Sequence, residues 1–135
     1  MLTFVQAGDV ENAKHCLGRA VTVQPDDGHT KFMSLGQLFE GQQSLQLYQQ
    51  GIAILAKKVA ENSELKHDLS SALCSVADLY MTDLCDEPDA EAECTKAIEC
   101  AIEAEETNPE AWQTKARLKI IKSQFEVRFP FYHSF

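Results

Sequence analysis

The sequence predicts an all-α fold of antiparallel helix pairs, and three observations lead to this prediction. Apolar residues recur at spacings of three and four along several segments, which is the period of an amphipathic helix. The first of these segments shows none of the Val, Ile or aromatic alternation expected of a strand. Small and apolar residues also repeat in one register, each time followed five residues later by a proline. The two copies are Ala13, Leu17, Ala20 and Pro25, and Ala97, Ala101, Ala104 and Pro109.

The first repeat begins with the end of a helix. Leu2 and Phe4 have the spacing of a last helical turn, and Gly8-Asp9 is predicted to form the turn after it. Asp9 can cap the following helix, because its carboxylate accepts hydrogen bonds from free backbone N–H groups. Pro25 ends that helix, since proline lacks the N–H that a helix interior needs.

The second repeat opens after Gly28 and turns at Gly41. Its long second helix is predicted from apolar residues at helical spacing, namely Leu45, Tyr48, Ile52, Leu55 and Val59. Gly51 lies inside this helix, where glycine costs about 1 kcal/mol relative to alanine. A small residue at that position indicates the close approach of a neighbouring helix. Asn62-Ser63 breaks the pattern and supplies capping side chains.

The third repeat, residues 65–109, is the most complete. An apolar helix is followed by the acidic loop 82–89, and Asp89 is predicted to cap the second helix. Asn108 and Pro109 then form the cap and first position of another helix. The sequence therefore predicts a helical repeat domain over residues 1–122, with its first and last repeats incomplete. Residues 123–135 are predicted to form an irregular, aromatic-rich C-terminal tail.

The net charge of −9 is unevenly distributed along the 135 residues. Residues 61–110 hold fifteen acidic and two basic side chains, whereas residues 111–135 hold one acidic and five basic side chains. An acidic segment of this size repels nucleic acid and anionic membranes and attracts basic partners. A solvated acidic surface that only keeps the protein in solution remains the simpler interpretation.

The five cysteines are odd in number and lie mostly within helical patterns, so we expect reduced thiols in a cytoplasmic and nuclear protein. Neither cysteines nor histidines cluster as zinc requires, and no phosphate-binding glycine loop is present. Cys85 lies in the acidic loop, which disfavours the thiolate that a nucleophile needs. We expect no catalytic residues, metal or cofactor, no membrane span, and a monomer.

Helix pairs of about 34 residues with small residues at the crossing points resemble the tetratricopeptide (TPR) repeat. The small residues let the two helices of a pair approach closely, and large residues fill the gaps between pairs. The residues that carry the resemblance are Leu35-Gly36, Tyr48 and Gly51 in the second repeat, Ala77, Tyr80, Ala97 and Ala101 in the third, and Trp112 and Ala116 in the fourth. The resemblance implies a right-handed TPR-like solenoid.

A narrower resemblance rests on residues 31–38 (KFMSLGQL), 47–52 (LYQQGI), 76–91 (VADLYMTDLCDEPDAE) and 108–111 (NPEA). These segments look like the TPR-type assembly chaperones of large-subunit ribosomal protein number four. The resemblance implies a dedicated chaperone that binds a newly made, basic ribosomal protein and assists ribosome assembly. Lys115 stands where that pattern has an apolar residue, and the incomplete end repeats suggest a fragment or shortened variant.

In TPR proteins the first helix of each pair lines the concave groove, so the resemblance assigns the client contacts to such positions and to the acidic loop 82–89 that follows the first helix of the third repeat. The predicted contacts are Met33, Gln37, Glu40, Cys74, Asp78, Met81, Asp83, Asp86 and Glu87. An Asp and a Met at these positions cannot neutralise a peptide carboxylate, which argues against a heat-shock-chaperone adaptor. A generic TPR scaffold that binds a helical protein through apolar grooves remains the alternative function, and its binding would survive high salt.

Overall fold

The computed structural model describes the backbone of residues 4–128 and the side chains of residues 8–124. Within this range the regular structure is entirely helical. The α-helices are α1 (Phe4–Val23), α2 (His29–Leu38), α3 (Gly41–Val59), α4 (Lys66–Met81), α5 (Ala90–Ala104) and α6 (Pro109–Arg128). A single 3₁₀ turn, Ser63–Leu65, precedes α4. The prediction of an all-α chain is therefore confirmed.

The chain divides into two compact units. The N-terminal unit ends at Lys58 and contains α1, α2 and nearly all of α3, and the C-terminal unit contains α4, α5 and α6. Each unit is described by itself below. The assignment of residues 1–122 to one repeat domain stays a prediction.

Small residues allow α2 and α3 to pack closely in the N-terminal unit. A Cβ atom on Gly36 would lie 2.5 Å from the ring of Tyr48, and one on Gly51 would lie 2.9 Å from the sulfur of Met33. The buried Ser44 hydroxyl donates a hydrogen bond of 2.5 Å to the Gly36 carbonyl oxygen. The close helix approach that the sequence predicted at Gly51 is thus confirmed.

Alanines have the same role between α4 and α5 in the C-terminal unit. Ala77 and Ala101 are fully buried, and the Cys94 thiol lies 3.5 Å from the Ala77 carbonyl oxygen. The start of α6 is attached to this pair through Asn108, which is buried at the end of the preceding loop. Its amide nitrogen donates to the Ser70 hydroxyl at 2.9 Å, while its side-chain oxygen accepts from the Glu110 N–H at 3.1 Å. Asn108 therefore caps α6, as predicted.

Three local predictions differ from the structure. Helix α1 runs without interruption through Gly8-Asp9, where a turn was predicted, because one glycine costs only about 1 kcal/mol in a helix and no proline is nearby. Asp89 precedes α5 without forming a side-chain capping bond. Helix α6 continues past residue 122 to Arg128, because no proline or glycine occurs between its first residue and Pro130. Residues 129–135 of the predicted tail, and Leu2, lie outside the described residues.

Candidate functional site

The loop between α4 and α5 presents most of the predicted acidic contacts. Leu84 anchors this loop, because its side chain is buried and its N–H donates to the Leu79 carbonyl oxygen at 2.8 Å. The Thr82 hydroxyl donates to the Asp78 carbonyl oxygen at 2.8 Å at the end of α4. With Leu84 turned inward, the acidic residues on either side of it face solvent. The exposed carboxylates are those of Asp83, Asp86, Glu87 and Asp89.

The carboxylates of the loop and of α5 make this region electrically negative. The pKa of Tyr80, at the end of α4, is raised above its ordinary value. Burial is the main cause, and the nearby carboxylates of Glu93, Asp89 and Glu87 add to it because they oppose a negative phenolate. The same field favours cations at the surface of the loop.

Asp78 is not an unpaired acid. It lies half-buried on α4 and forms an ion pair with the guanidinium of Arg117 on α6. Both side chains are about half exposed, so the pair contributes roughly 0–1 kcal/mol to stability. The pair affects the binding of a basic ligand more than it affects stability. Arg117 neutralises the Asp78 carboxylate at the side of the predicted groove and places a cation there.

Cys74 does not line an exposed groove, contrary to the position assigned to it from the sequence. Its side chain is only 1% exposed and packs with Ala101 of α5 and Ala111 of α6. Burial raises the pKa of the Cys74 thiol to about 11, and the charge of Glu110 contributes to the increase. The first turn of α6 covers this part of α4, so Cys74 is a core residue. Met81, one turn beyond Asp78, is half-buried.

The remaining predicted contacts belong to the N-terminal unit. Met33 is half-buried, with its sulfur over Gly51, so much of its side chain is used in packing α2 against α3. Gln37 and Glu40 are exposed at and just beyond the end of α2. The contact roles of these three residues and of the other predicted residues in the C-terminal unit stay predictions. Only the exposed position predicted for Cys74 differs from the structure.

Sequence reasoning missed the basic residues of α6 that face the acidic helices. Arg117 pairs with Asp78, and the Lys122 ammonium lies 2.6 Å from a carboxylate oxygen of Glu91 on α5. The available signal was the change from a strongly acidic segment to a basic one after residue 110. The side of α6 on which each cation lies depends on how this helix packs.

The described residues show no arrangement suited to metal binding or to a membrane span. Among them, no group of three or more histidine, cysteine or carboxylate side chains is placed to hold a metal ion. None of the helices in the described range is both long and apolar enough to cross a bilayer. The arrangement offers a negative surface with few cations, which is chemically suited to holding a basic peptide.

Comparison with known proteins agrees with the narrower resemblance seen in the sequence. No protein-family model matches the chain. The chain is similar to a protein of Schizosaccharomyces pombe (strain 972 / ATCC 24843) named "Probable assembly chaperone of rpl4", with 35% identity over 131 residues that cover 91% of the chain. The chain spans 39% of the length of that relative. The predicted resemblance to an assembly chaperone of this ribosomal protein is therefore confirmed by a curated relative.

Proposed function

We propose that this chain acts in a dedicated assembly chaperone that binds the newly made large-subunit ribosomal protein rpl4. The observation that carries the proposal is the 35% identity, over 91% of the chain, to a protein whose name states this role. Identity distributed over nearly the whole chain supports a shared activity better than a short motif would. The chaperone keeps its basic client from binding other polyanions until the client is incorporated into the ribosome.

The proposal includes the finer architecture, a TPR-like right-handed solenoid. Close helix pairing supports it in both units, through Gly36 and Gly51 between α2 and α3 and through Ala77 and Ala101 between α4 and α5. In such repeats each helix pair packs mainly on its neighbours, and one side remains available along the stack for an extended ligand.

The client contact is proposed at the acidic loop between α4 and α5, together with the half-buried Asp78 and Met81 at the end of α4. Four loop carboxylates face solvent there, and the raised pKa of Tyr80 supports a negative local field. A Lys- and Arg-rich segment of the client is complementary to this surface. Such complementarity increases the association rate and the specificity more than it increases affinity.

The proposed activity is binding without catalysis, metal or cofactor, by a monomer that works in the cytoplasm and the nucleus. Burial of Cys74 and Cys94 supports the absence of thiol chemistry at those positions, because burial raises the pKa of each thiol to about 11. Holding a basic segment requires only exposed carboxylates and a stable framework.

Binding of purified rpl4 to the full chain tests the proposal directly. The affinity should fall steeply as salt is raised, because the Debye length shortens from about 10 Å at 0.1 M to about 3 Å at 1 M. A different ribosomal protein of similar positive charge serves as the competitor. Binding that survives high salt would favour the generic scaffold, and equal binding of the competitor would contradict a dedicated role.

A pair of charge-reversal variants separates the loop from the overall charge of the protein. Asp86→Lys with Glu87→Lys changes the loop, whereas Glu99→Lys with Glu103→Lys makes the same change in net charge on the exposed side of α5. We expect the loop variant to lose roughly tenfold or more in affinity for rpl4 and the α5 variant to lose much less. Equal losses would show that only net charge matters.

A further inference from the structure

Helix α6 has one face against the rest of the C-terminal unit and one face open to solvent. Its inner face consists of Ala111, Thr114 and Leu118, which are all buried. On the opposite face Trp112 is 45% exposed and Ile120 is 56% exposed, two of the largest exposed apolar side chains of the described residues. The exposed Ala116 lies between them, so the three residues form one ridge at spacings of four.

The basic side chains of α6 divide between these two sides. Arg117 and Lys122 reach back to carboxylates of α4 and α5, as described above. Lys115 instead lies over the Trp112 ring, with its ammonium 5.4 Å from the ring centre. Lys119 is exposed one turn further along and forms no ion pair with any described residue. The ridge of Trp112, Ala116 and Ile120 is therefore bordered by two lysines, the half-buried Lys115 and the exposed Lys119.

We propose that this face of α6, the Trp112 face, binds an acidic amphipathic helix of a partner protein. Anchors at positions i, i+4 and i+8 extend over about 12 Å, slightly more than two helical turns, which suits an antiparallel or crossed helix. The small Ala116 in the middle permits close approach of a second helix. Lys115 and Lys119 lie on one side of the ridge, where carboxylates of the bound helix would pair with them.

The two lysines beside the ridge select an acidic helix over other occupants. A nucleic-acid backbone carries a charge at every phosphate and needs a longer row of cations than Lys115 and Lys119 provide. Symmetric pairing of two copies through this face would bring Lys115 and Lys119 close to the same residues of the second copy, and like charges repel. The proposed client of the chaperone is basic and is assigned to the α4–α5 loop, so this second surface serves a partner of opposite charge.

The single tryptophan of the chain makes the test specific, because Trp112 lies in the proposed contact. The probe is a synthetic helical peptide of about 18 residues, or five turns, with leucines on one face and glutamates beside them. A peptide with lysines in place of the glutamates is the matched control. We expect the acidic peptide to shift the Trp112 emission to shorter wavelength and to reduce its quenching by iodide, because the indole becomes covered.

Two variants of the full chain separate the charge from the apolar ridge. Lys115→Glu with Lys119→Glu should weaken binding of the acidic peptide at least about tenfold, since two attractive pairs become repulsive. Lys66→Glu with Lys96→Glu changes the net charge equally at exposed sites outside α6 and should leave binding within about twofold. Ile120→Gln keeps both lysines and should weaken binding several-fold. Circular dichroism establishes that each variant retains its helices.

Four results would overturn the proposal. The first is equal binding of the lysine peptide, which would show that charge pairing with the two lysines plays no part. The second is an Ile120→Gln variant that binds like the unchanged protein, which would show that the apolar ridge plays no part. The third is a blue shift that appears on raising the protein concentration alone, which would assign the face to a second copy. The fourth is the same shift with a single-stranded oligonucleotide, which would assign it to nucleic acid.

Discussion

Replacing Gly36 with alanine tests whether the close contact between α2 and α3 is required by the fold. The added Cβ would lie 2.5 Å and 2.7 Å from two ring carbons of Tyr48, well inside normal contact distance. Tyr48 is buried, so its ring has little room to move away. The backbone of Gly36 is also held, because its carbonyl oxygen accepts the buried hydrogen bond from Ser44.

Two opposing contributions determine the size of the effect. Alanine is favoured over glycine in a helix interior by about 1 kcal/mol. Overpacking a close-packed contact costs about 1–3 kcal/mol, and a buried ring that cannot rotate aside places Gly36→Ala in the upper part of that range. We therefore expect a net loss of about 1–2 kcal/mol in the free energy of unfolding of the N-terminal unit.

Gly18→Ala is the matched control, because Gly18 lies in α1 and nothing would come within 4 Å of its added Cβ. It should raise the free energy of unfolding by up to about 1 kcal/mol from helix propensity alone. The same chemical change thus has opposite signs at two helical glycines of one unit. Tyr48→Leu in the Gly36→Ala background should cost less than the sum of the single changes, with a coupling of about 0.5–3 kcal/mol.

Urea unfolding followed by far-ultraviolet circular dichroism measures these differences. Tryptophan fluorescence does not serve here, because the single tryptophan lies in α6 of the C-terminal unit. With a urea dependence of about 1–3 kcal/mol per molar, the expected loss moves the midpoint of Gly36→Ala down by about 1 M. A Gly36→Ala protein that unfolds at the same or higher urea concentration than the unchanged protein would refute the reasoning.

Three further predictions concern the C-terminal unit and are followed by Trp112 fluorescence or by binding. Burial raises the thiol pKa of Cys74 and Cys94 from 9.0 to about 11. The contribution of these thiols to the free energy of unfolding is therefore fully present below pH 9 and is lost as the pH rises towards 11, because the unfolded chain releases these protons first. The urea midpoint should decline over that interval less steeply in the Cys74→Ala, Cys94→Ala double variant, and an equal decline would contradict this origin. Asn108→Ala should cost about 1–3 kcal/mol, because it removes the cap of α6 and a partner of the buried Ser70 hydroxyl; an unchanged midpoint would show that water replaces both bonds. Arg117→Gln should change stability by less than about 1 kcal/mol and raise affinity for rpl4 by roughly a few-fold, because it frees the Asp78 carboxylate and removes a cation; weaker binding in titrations with rpl4 would place the client elsewhere.

Much of the helical framework was predictable because its signals are local. Pro25 and Asn108-Pro109 act on the backbone at their own positions, and the observed helices end and begin beside them. Gly51 predicted a close helix contact. A glycine lowers the stability of a strongly periodic helix, and close packing of a neighbouring helix explains why it is present. The interruption expected at Gly8 was wrong, since a single glycine does not outweigh helical residues on both sides.

The candidate site was less predictable, because helical spacing tells which residues share a face and not what covers that face. Cys74 and Asp78 are four residues apart on α4, so the sequence placed both in one groove. The structure separates them, because Ala111 of α6 packs on Cys74, whereas Asp78 meets the guanidinium of Arg117.

By itself, the sequence determined that the chain is helical, where small residues recur along it, and that its central segment is strongly acidic. These properties depend on backbone propensity, residue size and composition, which each position carries without reference to distant ones. Only the tertiary structure decided which carboxylates of the C-terminal unit are paired and which side of α6 is left open. Those outcomes depend on the direction in which α6 packs on α4 and α5, and that direction follows from the combined fit of side chains far apart in the sequence.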